Sequence, residues 1–163
     1  MLRMGKLTDY GIVLMSYLAT NRHEQHSAHA IADAVKVPLP TVRKVLKSLS
    51  HGGLLQSERG VAGGYSLSRM PEQISVAEII TAIEGPIALT ECVSSESHCE
   101  QETHCAVQTN WTRINNAVFH ALDEVKLSDM LVPQNTSGLS PIKFYSSAAA
   151  MSNATIQDGE FHD

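Results

Sequence analysis

The sequence predicts a mostly α-helical fold with a small β-hairpin wing, a winged helix-turn-helix followed by one long helix. Three features lead there. Two amphipathic segments, one running from Ser27 to Val35 and one from Pro40 to the Gly52-Gly53 pair, are joined by a turn of about four residues. A glycine-rich connection flanked by two short strand-like runs follows at once, between Leu54 and Ser68. Farther on, Trp111, Ile114, Val118, Ala121 and Val125 recur at intervals of three and four, the seam of a helix packed lengthwise against another.

In chain order, Leu7, Tyr10, Leu14, Tyr17 and Leu18 share one face of a first helix, placed over roughly Thr8–Thr20. Arg3 and Lys6 ahead of GIVLMSYLA look like the start of a secretory signal. Asp9 interrupts that basic region, and no small-x-small cleavage site follows Ala19, so a folded helix is expected instead. Ser27 is a good N-cap for a short helix through Val35, with Ile31 and Val35 facing inward. Lys36, Val37 and Pro38 form a tight turn, and Pro40 opens the next helix, where its missing N–H costs nothing. Val42, Val45, Leu46 and Leu49 then follow the i, i+3, i+4, i+7 rule, leaving Thr41, Arg43, Lys44, Lys47 and Ser48 outward.

Leu54–Ser57 and Tyr65–Ser68 read as strands on either side of the Arg59–Gly64 connection, whose tip carries one cation, Arg59. Ser75 and Glu78 form a capping box for a helix ending at Glu84, before Gly85-Pro86. The long helix finds no second long helix in this chain, so its own copy in a two-fold homodimer is the expected partner. Leu127–Leu131 adds a helical turn before Pro133. From Gln134 the composition turns to Asn, Ser, Thr, Gly, Pro and Ala, which reads as a disordered tail. Four regions result: a winged helix-turn-helix over 1–85, a cysteine-bearing loop over 86–108, a dimerisation helix over 109–133, and the tail over 134–163.

The net charge of −5 hides an uneven distribution. Residues 1–70 contain nine Lys and Arg against four acids, or +5, whereas the remainder holds three against thirteen, or −10. A basic amino-terminal half is the footprint of a phosphate-backbone partner, and double-stranded DNA is the one that fits a helix-turn-helix. No run of eighteen apolar residues occurs, so no membrane partner is expected, and a cytoplasmic setting with reduced thiols follows. There is no Walker loop, nucleophile elbow or inward pair of carboxylates, so neither an enzyme nor a small-molecule substrate is expected. His23, His26 and His29 cluster near the second helix and read as a solvated loop.

All three cysteines, Cys92, Cys99 and Cys105, fall within fourteen residues of a polar stretch, ECVSSESHCEQETHCAVQ. Their odd number argues against a closed disulfide framework. Thiolates grouped in one loop suit an iron-sulfur cluster, while the wide gaps fit less well the closely paired ligands of structural zinc. Spacing alone ranks a cluster first and leaves zinc open.

LTDYG, PLPTVRKVLKSLSHGGLL, RGVAGGYSL, ISVAEIITAIEGPIALTEC and NWTRIN, in that order, carry a resemblance spanning about residues 1–133. The chain resembles the winged-helix iron-sulfur transcriptional regulators typified by IscR and NsrR, and is most similar to the branch regulating SUF-type cluster-assembly genes. The resemblance implies a cluster, 2Fe-2S or 4Fe-4S, held by Cys92, Cys99 and Cys105. The first cysteine gap is one residue longer than in IscR, and Gln108 stands where IscR has its histidine ligand, which leaves the fourth ligand open. In NsrR an aspartate from across the dimer serves, and Asp9 matches its position; His104, then His98, are the local alternatives. For DNA the resemblance implies contacts from Pro40, Thr41, Arg43, Lys44 and Lys47 on the recognition helix, and from Arg59, Gly63 and Gly64 in the wing. Arg43 replaces a glutamate that tunes operator choice in IscR. The expected function is therefore that of an iron-sulfur-sensing repressor acting as a homodimer on a palindromic site. Two alternatives remain, a zinc or redox-thiol regulator on the same fold, and an iron-sulfur carrier or scaffold.

Overall fold

The computed structural model describes residues 4–60, 63–90, 93 and 107–131. The three cysteines, His98, His104 and the 134–163 segment lie outside the described residues. The first helix, α1 (Lys6–Thr20), begins two residues before its predicted start, with Gly5 as N-cap. It packs against α2 (Ala28–Val35), α3 (Leu39–His51), α4 (Val76–Glu84) and the hairpin, and so is enclosed on several sides. Its buried set therefore exceeds the single predicted stripe and takes in Thr8, Gly11, Met15 and Ala19. Gly11 has a packing reason: a Cβ there would collide with Ile83 Cδ1 of α4.

Ser27 caps α2 as predicted, its Oγ accepting from the Ala30 N–H at 3.1 Å. Lys36 ends the helix in the left-handed region, φ 57°. One residue separates prediction from structure at α3: Pro38 is the N-cap, and Pro40 holds the second helical position. An N–H there would also have lacked an intrahelical acceptor, so proline is equally well placed. Val42, Val45, Leu46 and Leu49 form the floor of the core, together with Leu14, Leu18, Ile31, Ile74, Ile79 and Leu127. Burying each such side chain contributes about 1.5–3 kcal/mol, which holds α3 with its polar side outward.

Strands β1 (Leu55–Ser57) and β2 (Tyr65–Leu67) pair antiparallel, Leu55 opposite Leu67 and Ser57 opposite Tyr65. The other edge of β2 is occupied as well. Tyr65 N–H donates to the His26 carbonyl at 2.9 Å, and His26 N–H donates to the Tyr65 carbonyl at 3.1 Å. The expectation of a solvated histidine loop thus fails for His26, which is half-buried, with Nε2 2.9 Å from the Asn21 carbonyl and its ring edge-on to Tyr17. Backbone pairing, which leaves no mark on side-chain identity, is the reason.

Both halves of the Ser75–Glu78 capping box form at the start of α4. Burial alone would raise the Glu78 pKa. The Ser75 N–H and the Arg69 guanidinium, 2.9 Å away, outweigh it and hold the carboxyl below its ordinary value. The last long helix, α5 (Gln108–Glu124), leads into a 3₁₀ turn, Leu127–Leu131. That turn belongs to the core: Val76 N–H donates to Val125 O, Leu127 N–H donates to Ile74 O, and Leu127 is fully buried. No helix among the described residues is long and apolar enough to cross a membrane.

Candidate nucleic-acid interface

The outward side of α3 follows from its inward side. With four apolar residues fixed in the core, Pro40, Arg43, Lys44 and Lys47 are exposed and Thr41 is half-buried at the rim. No side chain caps the α3 N-terminus. Its first N–H groups and its partial positive charge therefore add to three cations on one face, an arrangement suited to phosphate oxygens and base edges.

The wing supplies the second element. Arg59 is exposed just beyond β1, and the turn is closed by Gly63 N–H donating to the Gly60 carbonyl at 3.1 Å. Gly60, at φ 122°, adopts a backbone conformation closed to most L residues. Gly63 and Gly64 have structural duties of their own. A Cβ on Gly63 would collide with the Glu58 carbonyl, and one on Gly64 would come within 2.7 Å of His26 O. Both glycines let main chain lie against main chain.

Of the expected cluster donors, the structure describes only Asp9, exposed on α1 and bordering a groove of about 760 Å³ shared with Val76, Ile80 and Leu122. Among the described residues no three metal-ligating side chains converge. What the structure does describe is the approach to the cysteine segment. Gly85–Thr90 leaves α4 as a strap, and Asn115 of α5 holds it by two hydrogen bonds: Nδ2 donates to Ile87 O at 2.9 Å and Oδ1 accepts from Leu89 N–H at 3.0 Å. At the α4 end, Thr8 Oγ1 donates to Glu84 Oε1 at 2.7 Å, one residue from Asp9. Neither contact was anticipated from sequence. The available signal was Asn115 itself, an amide four residues after Trp111 and seven before Leu122, on the inner side of an amphipathic helix.

The predicted α5 seam is half open. Trp111 and Ile114 are 38% and 46% exposed, while Val118, Ala121 and Val125 are half-buried against the same protomer.

Comparison with known proteins matches this arrangement to one family. The profile of Rrf2, described as an iron-dependent transcriptional regulator, matches residues 4–133. The HTH-type transcriptional regulator NsrR of Bacillus licheniformis is 29% identical over 136 residues, covering 82% of this chain and 95% of that one. The structure of CymR, the global cysteine regulator of B. subtilis, superposes with a TM-score of 0.62 at 30% identity, covering 80% of this chain and 97% of that one. T. potens IscR superposes with a TM-score of 0.59 at 27% identity, covering 80% and 86%. These relatives are regulators rather than enzymes, and their winged-helix architecture is the one described above. The chain belongs to the Rrf2 family of transcriptional regulators.

Proposed function

We propose that this regulator is a cytoplasmic homodimer that represses iron-sulfur cluster-assembly genes of the SUF type by binding a palindromic operator, with cluster occupancy as its signal. The observation that carries the reading is where the thiols sit in the chain. They lie on the only covalent link between α4, which packs on the recognition helix α3, and α5, whose Trp111–Ile114 end is open for a second protomer. A change of state in that link acts directly on the elements that set the spacing of two recognition helices.

The donor set fits an iron-sulfur group in its chemistry: three thiols, with an exposed carboxylate at Asp9 and the imidazoles of His104 and His98 as candidates for a fourth position. When bound, such a group supplies an iron centre labile to oxidants and to iron shortage. The chain's own part is to present Cys92, Cys99 and Cys105 as thiolates, to hold the strap, and to offer DNA the Pro40, Thr41, Arg43, Lys44 and Lys47 face with Arg59 beside it. Gly63 and Gly64 serve that contact by keeping the wing compact.

A second reading is favoured by the likeness to CymR, the global cysteine regulator of B. subtilis. On that reading the same segment is a redox-thiol or zinc switch without a cluster. Anaerobic purification from iron-replete cells, followed by iron, sulfide and zinc analysis, separates the two. Iron and sulfide with visible absorbance, lost in Cys92→Ser, Cys99→Ser or Cys105→Ser, is the expected result. Colourless protein carrying zinc or no metal overturns the cluster. Footprinting with loaded and metal-free protein then tests the operator, and identical protection by both forms overturns the sensing role.

A further inference from the structure

We propose that Asn115 is a positioning residue for the thiol segment, its amide fastening the strap from which Cys92 departs to helix α5. The proposal deepens the sensing role proposed above and rests on it. Asn115 is the one buried residue of α5, 7% exposed, at a position where an apolar side chain would be the ordinary choice. A buried amide is tolerated when both its ends are hydrogen-bonded, and here they are, to Ile87 O and Leu89 N–H. Gripping a carbonyl and an N–H two residues apart is what a neighbouring strand does. The contact therefore fixes the direction and register of the strap, which a leucine of equal size would leave free.

The strap is held at its other end too, by Thr8 on Glu84. Cys92 follows Leu89 by three residues, and three residues of fully extended chain span at most about 11 Å. Holding Leu89 therefore fixes the point on the chain from which the first thiol is reached. Releasing it removes both hydrogen bonds that tie the Gly85–Thr90 strap to α5. Groups that orient ligands without touching the bound centre typically change its affinity by about 10–100-fold.

The test uses the full chain with Asn115→Ala and Asn115→Asp. The aspartate keeps an acceptor for Leu89 N–H but turns a carboxylate toward the Ile87 carbonyl. Three quantities are read: amide exchange at Leu89, the rate of Cys92 alkylation by iodoacetamide relative to Cys99 in metal-free protein, and the rate at which a chelator bleaches protein reconstituted anaerobically with iron and sulfide. For Asn115→Ala we expect faster Leu89 exchange, an altered Cys92-to-Cys99 alkylation ratio, and bleaching about tenfold faster or more. Asn115→Asp, which sets a buried carboxylate against the Ile87 carbonyl, should release Leu89 at least as far as alanine does, and its Leu89 exchange decides the matter if the alanine variant does not fold. Unchanged Leu89 exchange overturns the proposal, as does released exchange with parental alkylation and bleaching, since the amide would then be packing alone. If the parent protein takes up no iron yet Cys92 alkylation still responds to Asn115, positioning stands and the cluster reading falls.

Discussion

Replacing Gly64 by alanine should detach the wing from the body of the protein. The added Cβ would lie 2.7 Å from His26 O, 2.8 Å from its carbonyl carbon and 2.9 Å from its nitrogen, all backbone atoms that no rotamer change can move. Relief requires β2 to separate from the α1–α2 connection, breaking the reciprocal Tyr65–His26 hydrogen bonds of 2.9 and 3.1 Å. At about 0.5–1.5 kcal/mol net for each bond, the loss is about 1–3 kcal/mol. With a urea m-value of about 1–3 kcal/mol/M, the unfolding midpoint should fall by roughly 1 M. Gly60→Ala is the control, because its Cβ meets nothing within 4 Å and only the φ of 122° resists substitution. Urea titration followed by far-UV circular dichroism reads the shift, and amide exchange at Tyr65 reports the detachment. A Gly64→Ala protein with the parental midpoint and a protected Tyr65 amide would refute the argument that main-chain contact at His26 holds the wing.

Lys44→Ala and Arg59→Ala should each remove one phosphate contact per protomer, so the slope of log K against log salt should become shallower by about 1.8 for a dimer. Fluorescence anisotropy at several salt concentrations measures it, and an unaltered slope places that residue away from the backbone. Ile114→Glu, at an exposed position of the isolated protomer, should leave the fold intact but cost the dimer about 3 kcal/mol or more, over a hundredfold in Kd. Sedimentation showing an unweakened dimer would move the interface elsewhere. Because the Glu78 carboxyl is held below its ordinary value of 4.5, its contribution to stability is complete above that pH and is lost as pH falls through the depressed value. Glu78→Gln should therefore flatten the acid limb of the stability curve and cost only about 0.5 kcal/mol at neutral pH, since its Arg69 partner is partly solvated. A parental acid limb in chemical denaturation would count against that role.

Much of this architecture is legible in the residues alone. Ser27, the Ser75–Glu78 pair and the spacing of Val42, Val45, Leu46 and Leu49 each announce themselves through local chemistry, and helices α2, α3 and α4 follow. The cationic face of α3 came with them, because fixing four side chains inward fixes the rest outward. The missing parts depend on tertiary context. One apolar stripe on α1 gave no hint that Thr8 and Gly11 would be enclosed as well, since burial on several sides has no single period. The His26–Tyr65 pairing is made by main chain. Asn115 lies beside the predicted α5 seam, and only the backbone it meets reveals what its amide holds. Whether Asp9 lies within reach of the three thiols turns on distances between distant segments, and spacing along the chain carries no information about those.

With one polar side chain buried in α5 against four apolar ones in α3, the two helices draw on very unequal shares of the core. The C-terminal rod should then breathe, pivot or peel at a fraction of the free energy needed to melt the reading head. Such a division leaves the exposed cationic face of α3 in place while α5 moves.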